Sequence, residues 1–199
     1  MVTAADRTSV WLASKPVTPT RRRSEQPAGL DRERITAAAV RLLDAEGLSG
    51  FSMRRLAAEL GVTAMSLYWY VDTKDDLLEL ALDAALGELP LPAGAGTRWP
   101  DRLRALACGH RRLQGAHPWL AALAAEYPNI GPHARAFDTA LMRLLAATGL
   151  AAAARTGAHL AVSRFLHGCG TVRQAPEGDF HFALDVLVAG IEAHATAHA

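Results

Sequence analysis

Between Ser52 and Val71 the chain ends one helix and starts another almost at once, and this spacing leaves little freedom in how it folds. Met53, Leu56, Ala57 and Leu60 recur at i, i+3, i+4 and i+7. Ser52 stands where an N-cap accepts the first free amides, and Gly61 where a left-handed C-terminal residue is wanted. Val62 follows as a buried-type residue in a tight turn, and Thr63 is placed to cap a second short helix over 64–70. Two short helices joined by a glycine-containing turn form a helix-turn-helix, and they bury their apolar stripes only if further helices cover them. Those are at hand. Ile35, Ala38, Ala39, Leu42 and Leu43 fall at helical spacing between Asp31, an N-cap, and Gly47, which predicts a helix over 31–46. Thr73 with Asp76 three residues on gives a reciprocal N-terminal cap, and Leu77, Leu78, Ala81, Leu82 and Ala85 carry a fourth helix to about 88.

Pro90, Pro92 and the run Gly94-Ala95-Gly96 break the pattern, so a domain boundary is placed there. Further helices are expected over about 99–115, from Pro118, and over about 133–147, 153–173 and 179–197. No run has the strict alternation of a half-buried strand, and the fold class expected is all-α. Half of the 199 residues are apolar and 21% are charged, proportions that exclude disorder over most of the length. Cys108 and Cys169 are too few for a disulfide framework or a four-cysteine zinc site and are read as reduced, hence intracellular. No stretch approaches the ~20 apolar residues of a membrane span, and the protein is read as cytoplasmic. Residues 1–29 hold Pro16, Pro19 and Pro27 and no helical or strand period, which predicts a flexible extension; Trp11 alone is out of keeping. Arg7, Lys15, Arg21, Arg22 and Arg23 outnumber Asp6 and Glu25 there, so this extension is a basic, phosphate-seeking arm on a nearly neutral body. The division expected is 1–29, 30–89 and 90–199.

A helix-turn-helix lays its second helix in the DNA major groove. With Leu67 and Val71 packed inward, Ala64, Met65, Ser66, Tyr68, Trp69 and Tyr70 are left for solvent or ligand. Ser66 and the tyrosine hydroxyls suit phosphate or base, Ala64 and Met65 a thymine methyl, and Arg54 on the preceding helix a bidentate contact to guanine. Tyr68 and Trp69 also fit a second reading, in which they cover a neighbouring domain. Catalysis is not expected. There is no G-x-S-x-G elbow and no phosphate-binding G-x-x-x-x-G-K-[ST] loop, and Arg173 stands where a dinucleotide loop beginning at Gly168 would need its third glycine. Eight histidines show no zinc spacing, so neither metal nor cofactor is expected. The alternative to a DNA-binding protein is an all-α interaction module that keeps the geometry without binding DNA, against which the basic arm and Lys74 speak.

The whole run from Gly47 through Arg54, Gly61, Ser66 and Lys74 to Leu78 resembles the DNA-binding domain of the TetR family of transcriptional repressors, and Leu67-Tyr68-Trp69-Tyr70-Val71 is similar to its tetracycline-repressor branch. The resemblance covers about 31–88. It implies that Arg54, Ala64, Met65 and Ser66 read bases, that Tyr68, Trp69, Tyr70 and Lys74 mainly contact the DNA backbone, and that Thr63 belongs to the DNA-facing set. Ala64 stands where the branch often has an amide side chain, so base preference should differ. In the second half the likeness reduces to helix pattern and Phe165-Leu166-His167-Gly168-Cys169. It implies a homodimer formed by the last two long helices, for which Gly168, Phe180, Leu184, Leu187 and Ile191 are the candidates. It also implies a pocket, lined by candidates Leu106, His110, Leu113, Leu120, Phe137, Leu141, Leu144 and Phe165, residues that equally fit an ordinary core. With no cluster of carboxylates or arginines among them, the effector expected is lipophilic and ring-containing. The expected function is sequence-specific repression, relieved when that effector releases a palindromic operator.

Overall fold

A computed structural model describes residues 9–12, 30–92, 97–171 and 176–196, and among them every regular element is an α-helix. In chain order these are α1 (Arg32–Gly50), α2 (Met53–Leu60), α3 (Ala64–Leu67), α4 (Lys74–Leu86), α5 (Trp99–Ala116), α6 (Leu120–Glu126), α7 (Pro132–Ala146), α8 (Ala152–Thr171) and α9 (Glu177–Thr196). The all-α expectation holds, and the caps are where the sequence placed them. Asp31 accepts from the Arg34 amide at 2.7 Å, Ser52 from Arg55 at 3.3 Å and Thr63 from Ser66 at 3.2 Å. Gly47 takes a left-handed φ of 68° and breaks α1, and Gly61, also at 68°, ends α2 with its amide on the Ala58 carbonyl. Thr73 and Asp76 cap each other reciprocally at 3.1 and 3.0 Å. One element is shorter than predicted: α3 ends at Leu67, and residues 68–70 form a turn closed by the Tyr70 and Val71 amides on the Leu67 carbonyl. Three consecutive bulky aromatics have poor helix propensity, and the hydrophobic anchors Leu67 and Val71 are satisfied without a longer helix.

The chain divides into two compact units. The first takes in residues up to Ala85 together with His117–Gly131, so a segment that a division at residue 90 would place in the second half belongs with the first. Within this unit α2 packs on α1 and α3, and Ile35, Leu43, Leu56, Leu67, Leu77, Leu82 and Leu123 make the core. Two carboxylates hold the 117–131 segment. Asp44 on α1 accepts from the Trp119 indole at 2.6 Å and from His117 Nδ1 at 2.7 Å, and Asp75 on α4 accepts from the Tyr127 hydroxyl at 2.8 Å. Gly131 is buried so close to Asp83 that any β-carbon would collide with that carboxylate.

Helix α4 is buried on nearly every side, and the burial includes Glu79, 4% exposed. Its partner lies in the stretch 1–29 expected to be a flexible extension, of which only residues 9–12 are among the described residues. Residues 9–12 form a turn in which Ser9, 2% exposed, donates its hydroxyl to Glu79 Oε2 at 2.5 Å. Trp11, the residue that looked out of place, is only half-buried; a buried hydrogen bond to a carboxylate, not an aromatic anchor, holds the turn. The basic residues Arg7, Lys15 and Arg21 to Arg23 lie outside the described residues.

The second unit comprises Leu86–Ala116 and Pro132–Ala199. Here α5 packs against α7, α8 and α9, α7 against α8, and α8 against α9. Leu103, Leu106, Leu141, Leu145, Val162, Leu166 and Phe180 fill the middle, and an Arg104–Asp185 ion pair at 2.9 Å joins α5 to α9.

Candidate functional site

Leu67 and Val71 are buried as their spacing requires, which turns the other side of α3 and its following turn outward. Met65 is 71% exposed, Trp69 52% and Tyr68 44%. Three large apolar side chains left in water on one short stretch mark a surface kept for a partner rather than for the core. Arg54 is exposed on α2, and Ala64 is half-buried. The Ser66 hydroxyl lies 2.9 Å from that of Thr63, so both residues build the cap as well as the candidate surface. Two of the expected contacts are also held within the chain. Lys74 is exposed, and its ammonium donates to the Phe51 carbonyl at 3.2 Å and lies 5.5 Å over that ring. The Tyr70 hydroxyl is buried with no hydrogen-bond partner among the described residues, and its carbonyl accepts from Arg32 at 3.1 and 3.3 Å. The turn after Leu67 rotates that ring inward. Arg32 was missed because it reads as an ordinary first-turn residue of α1.

In the second unit Leu106, His110 and Leu113 of α5 and Leu141 and Leu144 of α7 are buried, while Phe137 and Phe165 are half-buried. The His110 ring is 5.8 Å from Phe137 and 6.2 Å from His167. Burial, with a smaller push from His167, lowers the His110 pKa to about 4, so the imidazole is neutral near pH 7. Phe165 instead stacks on Phe180 at 5.4 Å. Leu120 is buried in the first unit, in the segment whose side chains bond Asp44 and Asp75. Gln114, one turn beyond His110, was overlooked; it is buried and donates to the Leu166 carbonyl at 3.2 Å. An open cleft of about 490 Å³ between α5 and α9 brings Arg111 and Arg112 beside Glu177 and His181, an arginine pair that the sequence reading did not find. Arg111 lies 4.7 Å over the Phe180 ring. Among the described residues no three His, Cys, Asp or Glu side chains gather as a metal site would need, and no helix is long and apolar enough to cross a membrane.

The stripe expected to face a second subunit mostly faces inward. Phe180, Leu184 and Ile191 are at most 6% exposed, Leu187 is half-buried, and only Gly168 is open. Helix α9 carries two apolar faces, and the core uses this one. Its other face presents Phe182, 72% exposed, and Val186, 57% exposed, four residues apart, and Leu160 on α8 is 57% exposed.

Residues 35–81 match the model for bacterial regulatory proteins of the tetR family, and residues 91–179 match that for a tetracyclin repressor-like C-terminal domain. An HTH-type transcriptional regulator of Saccharopolyspora erythraea is 45% identical over 70% of this chain and 59% of its own length. The HTH-type transcriptional repressor DrrR1 of Streptomyces coeruleorubidus is 42% identical over 61% of this chain and 45% of its own. The chain thus matches about half the length of these relatives. The TetR family protein ActR of Streptomyces coelicolor, solved in complex with actinorhodin, superposes with a TM-score of 0.77 at 28% identity, over 87% of this chain and all of that one.

Proposed function

The chain belongs to the tetR family of bacterial regulatory proteins, and from that premise we propose that it is a cytoplasmic transcriptional repressor that leaves its operator when a small molecule binds. The observation that carries this reading is the outward face of α3, where Met65, Tyr68 and Trp69 are exposed beside Arg54 while Leu67 and Val71 anchor the stretch from below. Such a face suits the major groove: Arg54, Met65, Ala64 and Ser66 meet base edges, and Tyr68, Trp69 and Thr63 meet the backbone. The exposed Lys74 meets the backbone with them, and Tyr70, its hydroxyl buried, supports the surface.

The active form is a homodimer, since helix-turn-helix heads read two half-sites, and the exposed face with Phe182, Val186 and Leu160 supports a symmetric helix pairing. The effector is a small molecule held by the second unit; ActR, with its bound actinorhodin, supports this by analogy. Effector binding acts on the head through the chain itself, which passes between units after Ala85, Ala116 and Gly131. The 117–131 segment is the sensitive link, because its side chains are fixed to α1 and α4 through Asp44 and Asp75. By reciprocity operator and effector weaken each other's binding by one common factor, typically about 5–150-fold.

The reading contains no catalytic step. A mobility-shift titration of the full chain on DNA from upstream of its own gene tests it: a retarded complex that weakens steeply with salt and loses affinity in Arg54→Ala is expected. Absence of any retarded species, or equal affinity for all duplexes at every salt, would overturn it.

A further inference from the structure

Two polar side chains one turn apart on α5 stand out in the second unit. His110 is 5% exposed and Gln114 8%. The Gln114 amide nitrogen donates to the Leu166 carbonyl at 3.2 Å, and a carbonyl only accepts, so the amide orientation is set and Oε1 lies on the other side. That oxygen and His110 Nδ1 are both buried with no hydrogen-bond partner among the described residues. A buried polar atom left without a partner destabilises a fold, and a pair of them on one stripe of one helix is a feature with a use. Near His110 lie the half-buried Phe137 ring, 5.8 Å away, and the exposed His167, 6.2 Å away.

We propose that His110 and Gln114 are the polar anchor of the effector site, and that they select an uncharged, ring-containing molecule bearing a hydroxyl or N–H donor. This rests on the reading that the second unit takes an effector. Gln114 Oε1 can only accept, so the ligand must donate to it. A carboxylate there would set acceptor against acceptor, and the neutral imidazole offers it no cation. A hydroxyl fits both partners, since it donates its one hydrogen to Gln114 Oε1 and accepts from His110 in the tautomer protonated on Nδ1. The aromatic component follows from the Phe137 ring beside His110. Arg111 and Arg112 border the cleft on another face of α5, where an anion would be at home, so the two faces of one helix make opposite demands.

Calorimetric titration of the full chain with 2-naphthol, 2-methoxynaphthalene and 2-naphthoate separates these demands, because the three share one ring system and differ in donor and charge. The expectation is that 2-naphthol binds at least about tenfold more tightly than its methyl ether and than the carboxylate. Gln114→Leu should abolish that preference while keeping affinity for the ether, and Gln114→Met should do the same should the leucine variant fold poorly. Equal affinity for naphthol and ether would show that internal water satisfies the two atoms, and it would overturn the proposal. So would tighter binding of 2-naphthoate, or no binding of 2-naphthol with a Kd below about 1 mM. A mobility shift run alongside keeps the two readings apart. Hydroxyl preference without DNA binding would sink the regulator and spare this site; DNA binding without hydroxyl preference would do the reverse.

Discussion

Replacing Ser9 with alanine removes the hydroxyl that reaches Glu79 in the middle of α4 and should weaken the whole first unit. Glu79 is 4% exposed, so water cannot take the place of the lost donor. Taking one of its donors from a buried carboxylate in this way costs about 1–3 kcal/mol. In thermal melts followed by circular dichroism each kcal/mol corresponds to about 4–8 °C if the unit melts as a small domain, and about 2–4 °C if the chain melts as one. The loss has a pH signature. Burial raises the Glu79 pKa above its ordinary 4.5, while the Ser9 and Val10 hydrogen bonds pull it back down. A carboxyl with a raised folded-state pKa binds its proton more readily folded than unfolded, so stability falls as pH climbs from about 4.5 through the folded value. Losing Ser9 raises that pKa further. The cost of Ser9→Ala should therefore be small at acid pH, where Glu79 is protonated, and full at neutral pH. Glu79→Leu in the same chain should cancel most of it, because an apolar side chain needs no donor. A Ser9→Ala variant as stable as the parent at neutral pH, or one whose loss is independent of pH and unrelieved by Glu79→Leu, would refute the reasoning.

Met65→Ala and Trp69→Ala should leave thermal stability within about 0.5 kcal/mol of the parent, since both side chains lie in water, yet lower operator affinity in a fluorescence anisotropy titration. Phe182→Asp should shift the sedimentation profile toward monomer without lowering helicity, whereas Phe180→Asp, at a position 2% exposed, should unfold the second unit. Asp44→Ala should cost about 1–2 kcal/mol in urea unfolding by removing the carboxylate that the Trp119 indole and His117 share, and should reduce the factor by which effector weakens operator binding.

Much of this architecture was legible because its signals are local. Asp31, Ser52, Thr63 and the Thr73–Asp76 pair act on amides within three residues of themselves, so a reader of the chain sees donor and acceptor together. Leu67 and Val71 were equally plain, since a helix so short has few ways to bury anything. What escaped was nonlocal. Glu79 sits at a polar-looking position of α4, and the residue that covers it lies 70 positions upstream. Asp44 meets partners 73 and 75 residues away, which no periodicity announces. Helix α9 failed for another reason: with apolar residues on two faces, spacing alone does not say which face meets its own unit and which meets solvent.

The return of residues 117–131 to the first unit bears on how the protein could be cut or recombined. A fragment ending near residue 89 would carry α1 to α4 but lose the buried Trp119, Leu123 and Tyr127, and with them donors to Asp44 and Asp75. Such a head should behave as a loosened, aggregation-prone species however intact its recognition surface. Grafting a foreign head onto residues 90–199 would fail in the mirror sense, because the graft would meet a 15-residue segment, 117–131, shaped for other carboxylates. Exchange between relatives succeeds only if the head and that segment travel together, so the heritable module here is discontinuous in the gene though contiguous in the fold.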